Sequence, residues 1–165
     1  MKVKLQIATP DDVSALVALR NAVADDLTSR YGNGHWSMKV SERGVRLELT
    51  RSTIYVVTFR ERLIATLALS KRKPWAIDTS YFSAMERPLY LTGLAVAPGQ
   101  QRRGIGRLCI DQVPEIARQW PSDAIRLDAY DAAAGGGEFY RKCGFREVGR
   151  TSYRGNPLIY FEMLL

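Results

Sequence analysis

Between an apolar run that reads as a strand, Leu89–Val96, and an apolar run that reads as a helix stands Gln101-Arg102-Arg103-Gly104-Ile105-Gly106-Arg107. A strand that leaves through a basic, glycine-broken turn and re-enters as a helix constrains the fold strongly. Such a helix is the usual crossover to a second, parallel strand, and Ala124–Tyr130 supplies one. Glycine lets the backbone bring its N–H groups close to a ligand, and a helix start carries partial positive charge that suits an anion. At this spacing the successive N–H groups of Arg103 to Arg107 can point at one pyrophosphate, with arginine side chains on the outer oxygens.

Two rival phosphate schemes fail on the residues. No GxxxxGK[ST] run is present. A dinucleotide fingerprint, read from Gly104-Ile105-Gly106, ends in Cys109 where glycine or alanine is required, and the strand ends at Val96, too far upstream. The bulk numbers agree with an anionic partner: net charge is +7 over 165 residues and the pI is about 9.6. The basic residues are scattered along the chain, so a solvated basic surface accounts for part of that charge. Length fits one domain, residues 1–165. No apolar run approaches the roughly 20 residues of a membrane span. Met1–Ile7 alternates polar and apolar residues, which predicts a strand and not a signal peptide. Two cysteines without a CxxC pattern give neither a disulfide framework nor a zinc site. A cytoplasmic setting with reduced thiols is expected.

The remaining elements follow from periodicity and turn chemistry. Thr9-Pro10-Asp11-Asp12 predicts a capped helix start, with Val13, Leu16, Val17, Val23, Ala24 and Leu27 at helical spacing behind it. A turn-rich piece, Tyr31–Trp36, leads to a second helix near Ser41–Leu49. Thr53–Phe59 and Leu63–Ser70 read as a hairpin around Arg60-Glu61-Arg62. Lys71–Pro88 has no clear period, and a loop of that length tends to be functional or mobile. The crossover helix carries Pro114, which should kink it or cost it one backbone hydrogen bond. After Ala124–Tyr130 come a short helix at Glu138–Lys142 and two strands, Phe145–Tyr153 and Leu158–Leu165. The predicted order is β-α-α-β-β-β-α-β-α-β-β: a mixed α/β fold with a largely antiparallel sheet and one parallel crossover.

Gln101-Arg102-Arg103-Gly104-Ile105-Gly106 fits the pattern Q/R-x-x-G-x-G/A, and Phe139-Tyr140-Arg141-Lys142-Cys143-Gly144-Phe145 follows at the proper distance. On these two segments, in this order, the sequence resembles the GCN5-related N-acetyltransferase (GNAT) family. The resemblance implies a three-layer α-β-α acyltransferase fold with a central, mostly antiparallel, splayed sheet. It implies acetyl-CoA as co-substrate, no metal, and transfer of an acetyl group to a primary amine by direct attack. The CoA pyrophosphate would lie on Gln101, Arg102, Arg103, Gly104, Ile105, Gly106 and Arg107. The pantetheine arm would pair with the exposed backbone of Leu94, Ala95 and Val96. Tyr140 takes the place of the family's proton donor to the CoA sulfur, and the Leu94 N–H that of the group polarising the thioester carbonyl. A homodimer is common in such folds.

Acyl transfer needs a neutral amine, a polarised carbonyl, held reactants and a protonated leaving thiolate. Two departures from the family pattern bear on this. The strand Tyr90-Leu91-Thr92-Gly93-Leu94 carries no acid where many relatives have a glutamate. Water, Asp78, Glu86, Asp128 and Asp131 are the alternatives for the base. Ala132-Ala133-Ala134-Gly135-Gly136-Gly137 lacks an asparagine that many relatives place on the cofactor arm; its glycines either let backbone approach the cofactor or loosen the helix start. His35 reads as a surface or packing residue, and Cys109 and Cys143 as buried small hydrophobes. The aromatics of Tyr31–Trp36 and Trp75–Phe82 fit either an acceptor cleft or an ordinary core. Two further function classes stay open: a basic nucleic-acid module using Arg102, Arg103 and Arg107, though the chain lacks a helix-turn-helix, zinc pattern or RNP-like aromatic motif, and an acyl-CoA sensor without turnover.

Overall fold

Thr9 and Asp12 start the first helix as the sequence suggests. The Asp12 carboxylate accepts the Thr9 N–H at 2.8 Å, and Pro10–Asp12 forms a 3-10 turn that runs into helix α1, Val13–Tyr31. The computed structural model describes residues 1–165, and its elements follow the predicted order. They are strand β1 (Gln6–Ile7), α1, helix α2 (Glu42–Arg51), strands β2 (Thr53–Phe59), β3 (Arg62–Ser70) and β4 (Pro88–Val96), helix α3 (Ile105–Gln119), strand β5 (Ala124–Tyr130), helix α4 (Gly137–Lys142), and strands β6 (Arg146–Tyr153) and β7 (Asn156–Leu164). The fold is mixed α/β, with the seven strands hydrogen-bonded in the order β1-β2-β3-β4-β5-β7-β6. No helix is long and apolar enough to cross a membrane.

Two compact units divide the chain. Met1–Leu69 and Gly93–Cys109 form one, Ser70–Thr92 and Ile110–Leu165 the other. The division passes through β4 and α3. In the first unit, β1, β2 and β3 are antiparallel neighbours. Ala8, Val13, Leu16, Val45, Ile54, Val56 and Ala68 make its apolar core. Ser41 caps α2 by accepting the Gly44 N–H at 3.1 Å. Arg20 of α1 then grips Glu48 of α2 through both guanidinium ends, at 2.5 and 3.1 Å. The hairpin turn is the tight two-residue kind: Arg60 and Glu61 both have positive φ, +48° and +61°, which matches the twist of the flanking strands. The first strand is shorter than the alternation of Met1–Ile7 predicts. Regular pairing is limited to Gln6 and Ile7, and a bulge between Val57 and Thr58 interrupts the edge along which earlier residues would continue.

In the second unit, β4 and β5 are parallel, as a crossover requires, but their paired residues end at Tyr90 and Arg126. β7 lies between β5 and β6, antiparallel to both. One face carries the cluster Ile77, Phe82, Tyr90, Leu158 and Tyr160, so the unpatterned segment after β3 is packed core and only locally helical, at Thr79–Tyr81. It is pinned by polar groups. The Tyr160 hydroxyl donates to the Ala76 carbonyl and accepts the Asp78 N–H at 3.1 Å. Asp123 accepts the N–H groups of Glu86 and Arg87, both at 3.0 Å.

At the last paired rung, Arg126 and Glu162 form an ion pair at 3.0 Å with 4% and 1% of their side chains exposed. Arg126 also donates to the Ser83 carbonyl at 2.6 Å and lies over the Phe82 ring; Glu162 accepts the Ser83 N–H at 3.2 Å. Removing one member of a buried pair leaves the other charge uncompensated, which costs about 3–5 kcal/mol. Arg126→Ala should lower unfolding free energy in urea by that amount. Arg126→Met with Glu162→Leu should recover part of it, because neither charge is then left buried.

Candidate active site

The first unit holds every residue expected on the cofactor side. Gly93–Val96, the second half of β4, is only partly covered or exposed, unlike the buried Leu89–Leu91 before it. Gly93 has φ +62°, the left-handed region that breaks a strand's regular pleat. A Cβ there would stand 3.4 Å from Nη2 of Arg20, so the Arg20–Glu48 pair packs against the bend. The Arg20 Nε is buried with no partner. Neither the bend nor the pair was legible in the sequence, where Gly93 registers only as a strand residue without an acid.

Beyond β4 the chain is fixed from within. The Ala97 N–H donates to the Ile64 carbonyl at 2.8 Å, and Pro98–Gln100 forms a 3-10 turn. Gln101 Nε2 donates to the Val96 carbonyl at 3.0 Å, so this side chain braces the turn. Arg103 donates to Gln100 Oε1 at 3.2 Å. Arg102 and Gly104 take positive φ, +59° and +78°, which swings the backbone into α3. The helix's i to i−4 bonding begins with Leu108 N–H on the Gly104 carbonyl at 3.0 Å. The backbone amides of the turn before it therefore lack helical acceptors. Ile105 is buried and anchors the turn, while Arg102, Arg103, Gly104 and Arg107 are exposed. A Cβ on Gly104 would meet nothing within 4 Å. Amides without helical acceptors, a helix dipole and three exposed guanidinium groups on one short turn suit a polyphosphate.

Tyr140 belongs to the second unit, on α4. Its ring packs edge-on against Phe139 and Phe145 and tilts onto Phe161, with centroids 5.2, 5.8 and 5.9 Å away. Its hydroxyl makes no hydrogen bond within the chain. Burial, then the charge of Asp128, then Cys143 push the phenol well above its ordinary range, so it holds its proton at neutral pH. Two of the glycines before it have packing reasons. A Cβ on Gly135 would fall 1.8 Å from the Tyr130 carbonyl oxygen, and one on Gly136 would lie 3.0 Å from the Tyr140 ring.

The candidate bases separate by their partners. Asp78 caps its own turn, accepting the Ser80 N–H at 2.9 Å and hydroxyl at 2.7 Å, which hold its carboxyl below the usual range. Asp131 faces Arg150 at 3.3 Å. Glu86 is exposed. Asp128 is half-buried, and burial raises its carboxyl. Among the aromatics, Phe82 is core, Tyr81 stacks edge-on with Tyr160 at 5.3 Å, and Trp36 donates to the Gly32 carbonyl at 2.8 Å. Trp75 is 89% exposed. His35 is exposed in a 3-10 turn.

Similarity to known proteins bears on the family and the fold. The family described as Acetyltransferase (GNAT) matches residues 18–145. No curated protein sequence matches the chain. The structure is similar to the ribosomal-protein-alanine N-acetyltransferase of Brucella melitensis, with 18% identity over 98% of this chain and 99% of that one and a TM-score of 0.74. It is also similar to the PaiA N-acetyltransferase of Thermoplasma acidophilum, solved in complex with coenzyme A, at 14% identity, 97% and 98% coverage and a TM-score of 0.72. The ribosomal-protein-S18-alanine N-acetyltransferase of Escherichia coli matches at 15% identity, 99% and 94% coverage and a TM-score of 0.70.

Two outcomes follow from the packing. Gly135→Ala should destabilise by about 1–3 kcal/mol through forced backbone displacement, whereas Gly99→Ala, with nothing within 4 Å of the new methyl, should change stability by under about 0.5 kcal/mol. Urea unfolding of both variants checks the contrast. Cys109 is fully buried, and burial pushes its thiol up to about 11. With Cys143 also buried, neither thiol of the native protein should react promptly with Ellman's reagent at pH 8.

Proposed function

Because the chain belongs to the GNAT family of acetyltransferases, we propose that it moves an acetyl group from acetyl-CoA to a primary amine of a small molecule, peptide or protein by direct attack. The observation that carries this is the turn from the open end of β4 into α3, where Gly104 and three exposed arginines stand at a helix start. That turn fits a pyrophosphate. Arg102, Arg103 and Arg107 would supply side-chain charge, and the amides from Arg103 to Arg107 would supply donors. Gln101 would act by holding the turn in shape. The half-open backbone at Leu94, Ala95 and Val96 would pair with the pantetheine arm, and the Leu94 N–H would polarise the acyl carbonyl.

Tyr140 would give the departing sulfur its proton. The raised proton affinity keeps the phenol protonated at neutral pH, and its aromatic packing fixes the ring. The group it serves, bound acetyl-CoA, supplies an activated thioester. The rest of the chain's work is to bind, orient and move protons. A cytoplasmic location with a homodimeric assembly accompanies this proposal, as does independence from metals.

Acetyl-CoA at about 100 times its dissociation constant should raise unfolding free energy by roughly 2.7 kcal/mol. ATP, NADH and a short DNA duplex at equal concentration should leave the melting temperature unchanged. A shift with DNA alone would make the arginines a nucleic-acid footprint and overturn the enzyme. Gly104→Val should weaken acetyl-CoA binding at least about tenfold, since it blocks approach and strains the left-handed backbone. Tyr140→Phe should keep that affinity and lower kcat by about 10²-fold or more, read as CoA release. Binding without any CoA release would favour a sensor.

A further inference from the structure

Helix α4 has six residues, Gly137–Lys142, too few to stand on its own hydrogen bonds. Packing on β7 and a charged clasp to β6, all within the second unit, hold it. Phe161 of β7 is fully buried. The Tyr140 ring tilts onto it with centroids 5.9 Å apart, and the Arg141 guanidinium carbon lies 5.5 Å from the centroid of the same ring. A Cβ on Gly137 would fall 3.3 Å from Ile159 Cδ1 and 3.7 Å from both Arg141 Nη1 and Phe161 Cζ. The missing side chain there leaves room for the guanidinium over the ring.

Glu147 of β6 stands directly opposite Phe161 in the strand register, which puts the two side chains on one face. Its carboxylate accepts the Arg141 Nη2 donor at 2.6 Å and the Arg150 Nε donor at 2.6 Å. Arg150 in turn reaches Asp131 at 3.3 Å. Hydrogen bonds from Arg150 and then Arg141 pull the Glu147 carboxyl down to about 2, so the clasp is ionised at neutral and mildly acidic pH. The other carboxylate near Arg141, Glu138, lies at 4.0 Å and is 74% exposed, so Glu147 is the partner that fixes the guanidinium. A planar guanidinium can lay its face on a ring while its edge donates to a carboxylate; an ammonium cannot do both as well.

We propose that Arg141 is a positioning residue: clasped by Glu147 over Phe161, it fixes the floor against which the Tyr140 ring is set and so holds the phenol in the orientation its proton transfer needs. This rests on the donor role proposed above for Tyr140. Arg141 acts through the Phe161 ring and through the seating of α4.

The test joins a spectrum to kinetics. Protein labelled with 13C at tyrosine Cζ carries eight labelled sites, and the Tyr140 line is the one absent from Tyr140→Phe. Arg141→Met and Glu147→Leu should both move that line in the same direction, and Arg141→Lys should move it less. A field effect alone would move it in opposite directions, since one variant removes a positive charge and the other a negative one. Melting temperatures should barely change, because part-exposed ion pairs add little stability. CoA release is then followed at saturating acetyl-CoA with hydroxylamine, an amine unprotonated at neutral pH. Arg141→Met should lower kcat about tenfold or more with the KM for acetyl-CoA unchanged, and Arg141→Lys should recover part of the loss. In a Tyr140→Phe background, Arg141→Met should cost less than about twofold further, because the group it positions is gone. A Tyr140 line unmoved by Arg141→Met, or moved oppositely by the two variants, would overturn the positioning role while leaving acetyl transfer intact. Full additivity of the two substitutions in kcat would do the same. Native kcat in Tyr140→Phe, or no CoA release from the native protein, would overturn the donor reading and with it the catalytic use of the clasp.

Discussion

The ion pair between Arg126 and Glu162 occupies the last rung on which β4 and β5 are still paired. Two opposite charges taken out of water need nearly all their hydrogen-bonding capacity met, and here the backbone of Ser83 meets much of it. That requirement draws the long segment after β3 onto the sheet, where Phe82 covers the guanidinium and Tyr160 clips the Ala76–Asp78 backbone. A stretch with no secondary-structure period is thereby made part of the core. The face it covers is the face on which Arg126, Asp128 and Tyr130 stand.

Conformation rather than composition shapes the turn between β4 and α3. Gln101 is spent on the Val96 carbonyl, Ile105 on the core, and Arg102 and Gly104 on left-handed backbone. What is left exposed is the chemistry a phosphate chain can use: amide donors at a helix start and guanidinium groups around it. Gly93 does related work one strand earlier. Its positive φ interrupts β4 where coverage falls away, and the Arg20 guanidinium, held by Glu48, lies in contact distance of where a side chain would begin.

Much of the fold was legible in the chain. Alternation gave the strands, 3.6-residue spacing the first helix, and the Thr9-Pro10 signal its start, because these depend on contacts within a few residues. The order of all eleven strands and α-helices and the parallel crossover follow from the same local logic. Legibility failed wherever the cause was distant in sequence. The segment after β3 looked like a loop because its partners, Arg126, Tyr160 and Glu162, lie over 40 residues away. The glycines before α4 looked cofactor-related or flexible because the atom that forbids a side chain, the Tyr130 carbonyl oxygen, is visible only once the turn is folded.

The sequence by itself determined a mixed α/β chain with an anion-ready turn ahead of a helix and a tyrosine on a later short helix, since residue type and spacing fix propensity, periodicity and charge. It could name several acids but not rank them. Ranking depends on which carboxylates find cations or amides and which are partly removed from water without them, and that is a property of strand register and of where pairing stops. Tertiary structure alone decided that Asp78, Asp123, Asp131, Glu147 and Glu162 are engaged, and that Asp128 is left half-buried among phenols with its proton affinity raised by desolvation.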